Sequence, residues 1–374
     1  MAYHELASGR PLKEILGAKT PEPIARMHFW DGEALGRRFW LFSALGPILA
    51  ILSYFIGLIV LAALAFSILH FSGLAGEPVA VSEINDEIMQ TLLSETGLWG
   101  LASLFGAIAL LIPFVWGGAR WVQNWGFGAM ISMVGRIRWV LLGKATLVAV
   151  LTWLVMGVID LGLGFWVERR MPTFHGFSSS WVWTLLFIVP IVVLQSSAEE
   201  LFFRGYLPQS LHHILPKILK SKAGIAVLTS GLFAAIHWGN PDVMHAPWHA
   251  MAEFFVLSLA ICWLTLRLGG LEAAFALHSI NNAMLILVFS AEQYALGDQV
   301  LFTVAADGDF GTQWWHWLVQ WVHLFLTCCV FWIVGLWRRS PVSLAVEVDR
   351  QRQQPTRLTD AAGKEVLAAV VRQQ

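Results

Sequence analysis

The sequence predicts an all-α, polytopic membrane bundle of about eight transmembrane helices, and three observations predict it. The 374-residue composition is 57% hydrophobic and 13% charged, with a mean hydropathy of +0.64, a balance typical of membrane proteins. Eight long runs carry no charge or almost none. Lysine and arginine collect in alternate connections between those runs, as they do on the cytoplasmic side of a membrane.

The runs fall at 39–69, 96–119, 139–167, 181–203, 223–239, 251–268, 271–291 and 314–337. The first would reach about 46 Å as a helix at 1.5 Å per residue, enough to cross a bilayer with tilt. The fifth and sixth are short. Pro113, Pro190 and Gly231 lie inside runs, and membrane helices tolerate such residues where neighbours satisfy the freed backbone groups.

Arg10, Lys13, Lys19, Arg26, Arg37 and Arg38 precede the first run, which places the N-terminus inside. The next connection, with Glu77, Glu83, Asp86, Glu87 and Glu95, has no base and belongs outside. Arg120, Arg136, Arg138 and Lys144 mark an inner loop, Lys217, Lys220 and Lys222 another, and Arg267 the tight Gly269-Gly270 connection. The acidic 292–313 loop falls outside, and Arg338 and Arg339 end the last span inside. Arg169 and Arg170 oppose this pattern. The expected localisation is the cell membrane, multi-pass, with both termini cytoplasmic. In the tail, 360–372 is expected to form a short amphipathic helix. The first 38 residues are polar and basic, so no removable signal peptide is expected and the first span serves as an uncleaved anchor.

A formal net charge of −1 supplies no basic face for nucleic acid. Cys262, Cys328 and Cys329 all sit in apolar runs and offer neither a disulfide framework nor a spaced metal motif.

The chemistry concentrates in Gln195-Ser-Ser-Ala-Glu-Glu-Leu-Phe-Phe-Arg-Gly205, which ends a long apolar run. A charge at mid-bilayer costs roughly 2.5 to 3.5 kcal/mol by the milder scales, so its default reading is functional. On a helix Glu200 and Arg204 are four apart and share a face, which suits an ion pair, whereas Glu199 is rotated by about 100° and has no local partner. Hydration at the interface is the reading of Glu199 without function. Two later runs carry histidines, His237 and His278. A single histidine in an apolar helix is usually a hydrogen-bonded core residue, but His278 has Asn282 at i+4 on its own face. Asn281, at i+3, competes with Asn282, and an interhelical hydrogen bond is its structural alternative.

Glu199-Glu200-x-x-x-Arg204, Phe233-x-x-x-His237 and His278-x-x-x-Asn282, in this order on three runs, resemble the CPBP intramembrane proteases. That family comprises CAAX prenyl endopeptidases and bacteriocin-processing, immunity or abortive-infection proteins, and the resemblance covers about 180–292. It implies Glu199 and His237 as a water-activating pair, His278 and Asn282 as the oxyanion site, and Glu200 and Arg204 as supporting residues. The expected organisation is then a cytoplasmic basic segment (1–38), N-terminal transmembrane helices (39–170), a CPBP-like protease core (171–292), a last outer loop and helix (293–339) and a polar cytoplasmic tail (340–374).

The residue types suit peptide hydrolysis, which needs a base for water, a proton for the leaving amine and hydrogen bonds to the tetrahedral oxyanion. The expected partners are the bilayer and a protein or peptide delivered there, including one with a prenylated or lipidated C-terminus. Zinc is the candidate cofactor, with His237, His278 and Glu199 or Glu200 as candidate ligands. The placement of Asn282 beside His278 favours glutamate-assisted hydrolysis without a cofactor, because a carboxamide is a good oxyanion donor and a poor zinc ligand. Two other functions fit the same residues: a proton-coupled transporter using them as a relay, and a catalytically silent immunity or scaffold protein. His245, His249 and Glu253 also have metal-like spacing, with Pro247 between the histidines. One geometric difficulty stands: counted from the inner ends of their runs, His237 lies about 21 Å deep and Glu199 only about 10 Å.

Overall fold

The computed structural model describes residues 40–71, 97–168, 171–238, 247–291, 299–304, 314–336, 357–359 and 365–367, apart from 134, 217, 218, 220 and 335. They form a polytopic helical bundle. Long apolar sequence without charge gives α1 (Trp40–Phe71) and α2 (Leu98–Val122). Ile48, Phe55, Ile56 and Ile59 of α1 stay exposed, as expected of a helix that faces lipid tails. A Cβ on Gly118 would lie 2.9 Å from the Ala50 Cβ and from the Gly46 carbonyl, so small residues set the close approach of α1 and α2.

After the short α3 (Phe127–Ile131) comes α4 (Trp139–Leu163). Thr152 of α4 receives a 3.1 Å hydrogen bond from Thr327 of α9 (Trp314–Ile333), a polar contact of the kind that joins membrane helices.

The central element is α5 (Ser179–Ile214), 36 residues long. Ser178 caps its start by accepting from the Trp181 N–H. Pro190 follows a π turn at Thr184–Ile188, where the carbonyl left without its N–H partner is accommodated. A second π turn, Leu201–Tyr206, lies directly after the two glutamates; such turns recur at functional sites. The buried residues there include Gln195, Ser196, Glu199, Glu200 and Arg204.

Ser221 caps α6 (Lys222–Ile236), and Pro247 is the first residue of α7 (Pro247–Leu268), where its missing N–H is harmless. Gly269, at φ +66°, turns the chain directly into α8 (Glu272–Leu287). Arg138 grips the start of α8 with a fork, Nε to Glu272 Oε1 at 2.8 Å and Nη2 to Oε2 at 2.6 Å, and donates to the Leu268 carbonyl at 2.8 Å. The charges of the 136–144 and 267–272 connections therefore lie at one end of the bundle. Helix α8 packs on α4 and α5, α7 on α6, and α5 on α2. At the C-terminal end of α8 a small sheet joins β1 (Thr173–Phe174), β2 (Phe289–Ala291) and β3 (Phe302–Val304), with β3 central.

All eight apolar runs contain a helix, and among the described residues five helices are long and apolar enough to cross a membrane; α6 and α9 are shorter apolar helices, and α8 has 16 residues. Three expectations need correction. The sixth span is not short, because its helix begins at Pro247, before the apolar run, and α7 reaches 22 residues. The fourth span does not end near 203 but continues to Ile214, because its charges are paired inside the protein and do not mark a helix end. In the tail, Glu365–Leu367 is a strand (β5) paired antiparallel with Arg357–Thr359 (β4), not part of a helix. The expectations for 1–38, the acidic 77–95 connection, Arg169-Arg170, His245, most of the 292–313 loop and the rest of the tail lie outside the described residues.

Candidate active site

The continuation of α5 resolves the difficulty of depth. Glu199 lies 15 residues before the end at Ile214, and His237 lies 15 residues after the start of α6 at Lys222. Both are therefore about 22 Å along their helices from the same connection.

Glu199 and Glu200 are buried and face different partners. Glu200 Oε1 accepts from Arg204 Nη1 at 3.0 Å and from His278 Nδ1 at 2.7 Å. Because a carboxylate only accepts, the short contact assigns the hydrogen to Nδ1 of His278. The ring's other nitrogen, Nε2, then points at Glu199 Oε2 over 3.5 Å, longer than an ordinary N–H···O bond. Glu199 Oε1 accepts from Gln195 Nε2 at 2.7 Å, while Oε2 is buried and accepts no hydrogen bond from the described residues. His278 is thus held between two adjacent carboxylates, one orienting it and the other facing its open nitrogen.

Arg204 is fully buried. Its Nη2 donates to Ser258 Oγ at 2.7 Å, Ser258 donates to Ser230 Oγ at 2.9 Å, and the guanidinium lies 4.2 Å from the Phe233 ring centroid. These contacts from α6 and α7 satisfy a charge that would otherwise be costly to bury.

Asn282 Nδ2 donates to Gln195 Oε1 and to Ser196 Oγ, each at 3.3 Å. Asn281 donates to Asn282 Oδ1 at 3.4 Å, so Asn282 contacts the glutamate-bearing helix and Asn281 reaches it through Asn282.

The structure does not bring His237 to Glu199. Its Nδ1 is 2.7 Å from the Phe233 carbonyl, and its ring stacks on Phe254 at 4.4 Å. Phe233 stands between the two histidines, with centroids 4.6 Å from His237 and 5.8 Å from His278. The sequence reasoning paired Glu199 with His237, whereas the histidine that meets Glu199 is His278. It also passed over Gln195, Ser196, Ser230 and Ser258. For the first two a signal existed: Gln195 stands four residues before Glu199, and Ser196 four before Glu200.

The zinc set of His237, His278 and a glutamate does not close on one point in this arrangement. Among the described residues no three His, Cys, Asp or Glu are placed to hold a metal ion. Glu200 Oε1 is engaged by Arg204 and His278, and His237 is turned to Phe233. His249 and Glu253 lie in α7, but His245 is outside the described residues.

Residues 181–284 match the family model described as type II CAAX prenyl endopeptidase, Rce1-like. The match covers all three motifs up to and including Asn282 and supports a CAAX-type intramembrane protease kind of function. Over 252 residues the chain is 25% identical to the uncharacterized protein YyaK of Bacillus subtilis (strain 168), covering 67% of this chain and 80% of YyaK. No solved structure matches.

Proposed function

We propose that this multi-pass membrane protein, whose segment 181–284 carries the Rce1-like type II CAAX prenyl endopeptidase pattern, hydrolyses a peptide bond in a protein or peptide delivered at the membrane. Substrates with a prenylated or lipidated C-terminus are the first class to test. The observation that carries the reading is the arrangement of Glu199: a buried carboxylate with one oxygen held by Gln195 and the other turned to His278 Nε2 at 3.5 Å.

In the proposed reaction Glu199 Oε2 takes a proton from water as its oxygen adds to the scissile carbonyl carbon. The carbonyl oxygen becomes the oxyanion and takes a hydrogen bond from Asn282 Nδ2, one turn from His278 on the same face of α8. Glu200 is the acceptor that holds the His278 ring in place, and Arg204 with Ser258 holds Glu200. When the carbon–nitrogen bond breaks, Glu199 returns the proton to the leaving amine. His237, which donates Nδ1–H to the Phe233 carbonyl and stacks on Phe254, supports the Phe233 ring that lies against His278 and takes no part in holding the water. Preorganised donors in a water-poor site supply the largest share of such catalysis in other enzymes. The proposed steps run on the chain's own residues, since among the described residues His237, His278 and the glutamates do not close on one point.

The test is a comparison of peptides cleaved in membranes containing the wild-type protein with those containing Glu199→Ala. Products present only with the wild-type protein support the reading; identical peptide sets contradict it. In liposomes the protein is expected to cleave without moving a pH-sensitive dye, and proton flux abolished by Glu199→Ala would favour a transporter. Cleavage is expected to survive chelation. Stoichiometric zinc lost together with activity, and restored with it, would replace the cofactor-free mechanism.

A further inference from the structure

We propose that Gln195 is a positioning residue that selects the reacting oxygen of Glu199 and couples that base to the oxyanion donor Asn282. The inference rests on the assignment of Glu199 as the base. Gln195 is buried one helical turn before Glu199, and its two ends do different things. The amide nitrogen donates to Glu199 Oε1 at 2.7 Å, and the amide oxygen accepts from Ser196 Oγ at 3.2 Å and Asn282 Nδ2 at 3.3 Å. The amide orientation follows from the partners. Reversed, it would set a carbonyl against a carboxylate and an NH2 group against the NH2 group of Asn282.

Two consequences bear on the reaction. With Oε1 occupied by a strong charge-assisted bond, Oε2 is the oxygen left facing His278, so Gln195 decides which lone pairs meet the water. Asn282 directs its nitrogen at Gln195 and Ser196 over 3.3 Å each, longer than the usual 2.9–3.0 Å or so. An oxyanion can take one of these hydrogens while the bond to Gln195 still holds the carboxamide. One side chain thereby sets the spacing between the group that removes the proton and the group that receives the negative charge.

The test uses full-length protein in liposomes, an internally quenched peptide carrying a farnesylated cysteine near its C-terminus, and infrared spectra at constant pH. Gln195→Met keeps the side-chain length and removes both hydrogen-bonding ends; Gln195→Leu is a second variant with the same expectation. Each is expected to insert normally, to lose kcat by about 10- to 100-fold, and to keep KM within about twofold. The carboxylate band of Glu199, identified as the one missing in Glu199→Gln, should shift in both variants because one oxygen has lost its donor. This second readout needs no substrate. Wild-type kcat with an unshifted band would overturn the role of Gln195 and leave Glu199 in place, as would a loss confined to yield or KM. Wild-type cleavage by Glu199→Gln would remove the base and this inference together.

Discussion

A glutamate buried beside another glutamate is tolerated only if each carboxylate has its own neighbours. Here Glu200 has Arg204 and His278, and Glu199 has Gln195 on one oxygen. That division predicts a graded series of variants. His278→Ala removes the ring that both carboxylates address and is expected to abolish turnover. Asn282→Ala should lower kcat by roughly 10² to 10³ with KM little changed, as for loss of one oxyanion donor. His237→Ala should lose less than His278→Ala, because His237 contacts Phe233 and Phe254 rather than a glutamate; kinetics on the farnesylated peptide check the order. Glu199, Glu200, Arg204, His278 and Asn282 were legible in the sequence because charged or paired polar residues at i, i+4 are expensive in an apolar helix. Ser230 and Ser258 were not, because a neutral polar residue there is usually interhelical packing, whereas Gln195 and Ser196 carried an i, i+4 spacing to the glutamates that was passed over. The Glu200–His278 bond joins residues 78 positions apart, a contact that no helical spacing encodes.

Two features of α5 govern the site at the scale of the element. The Glu200–Arg204 pair is fully buried, so either single alanine variant strands a charge and should cost about 3–5 kcal/mol of stability. The double variant should recover detergent stability but not activity, since His278 still lacks its acceptor; purely additive stability losses would show that the pair does not interact. The second feature is Gly205, in the π turn. A Cβ there would lie 2.5 Å from the Met130 carbonyl and 3.1 Å from Leu271 Cδ1, so Gly205→Ala must push α5 away from α3 and the start of α8. A loss of about 1–3 kcal/mol, read as a lower unfolding temperature, is the expected result. The sequence located this helix but misjudged its end, because charges were read as the water boundary. Beyond the Glu200–Arg204 pair and Gln195 within α5, their partners lie on α6, α7 and α8, which a reading confined to one helix does not reach.

For the whole molecule, the eight apolar runs made the bundle legible, and the short length of α6 was anticipated. The packing order was not, because the runs are similar in composition and only contacts such as Arg138–Glu272 distinguish their neighbours. The loop charges lead to a proposal on orientation, with both termini inside. In a cysteine-free background, single cysteines at Glu83 and Asp307 should react with an impermeant thiol reagent from outside, whereas those at Lys220 and Arg350 should not. Labelling at Lys220 in intact cells would invert the orientation. The central claim is that the buried Glu199 carboxylate activates water, and it is tested most directly by the turnover of purified Glu199→Gln protein in liposomes. Glutamine keeps the shape and removes the basicity. Turnover of the farnesylated peptide should fall by about 10² to 10⁴ with helicity and insertion unchanged; cleavage at the wild-type rate would contradict the claim.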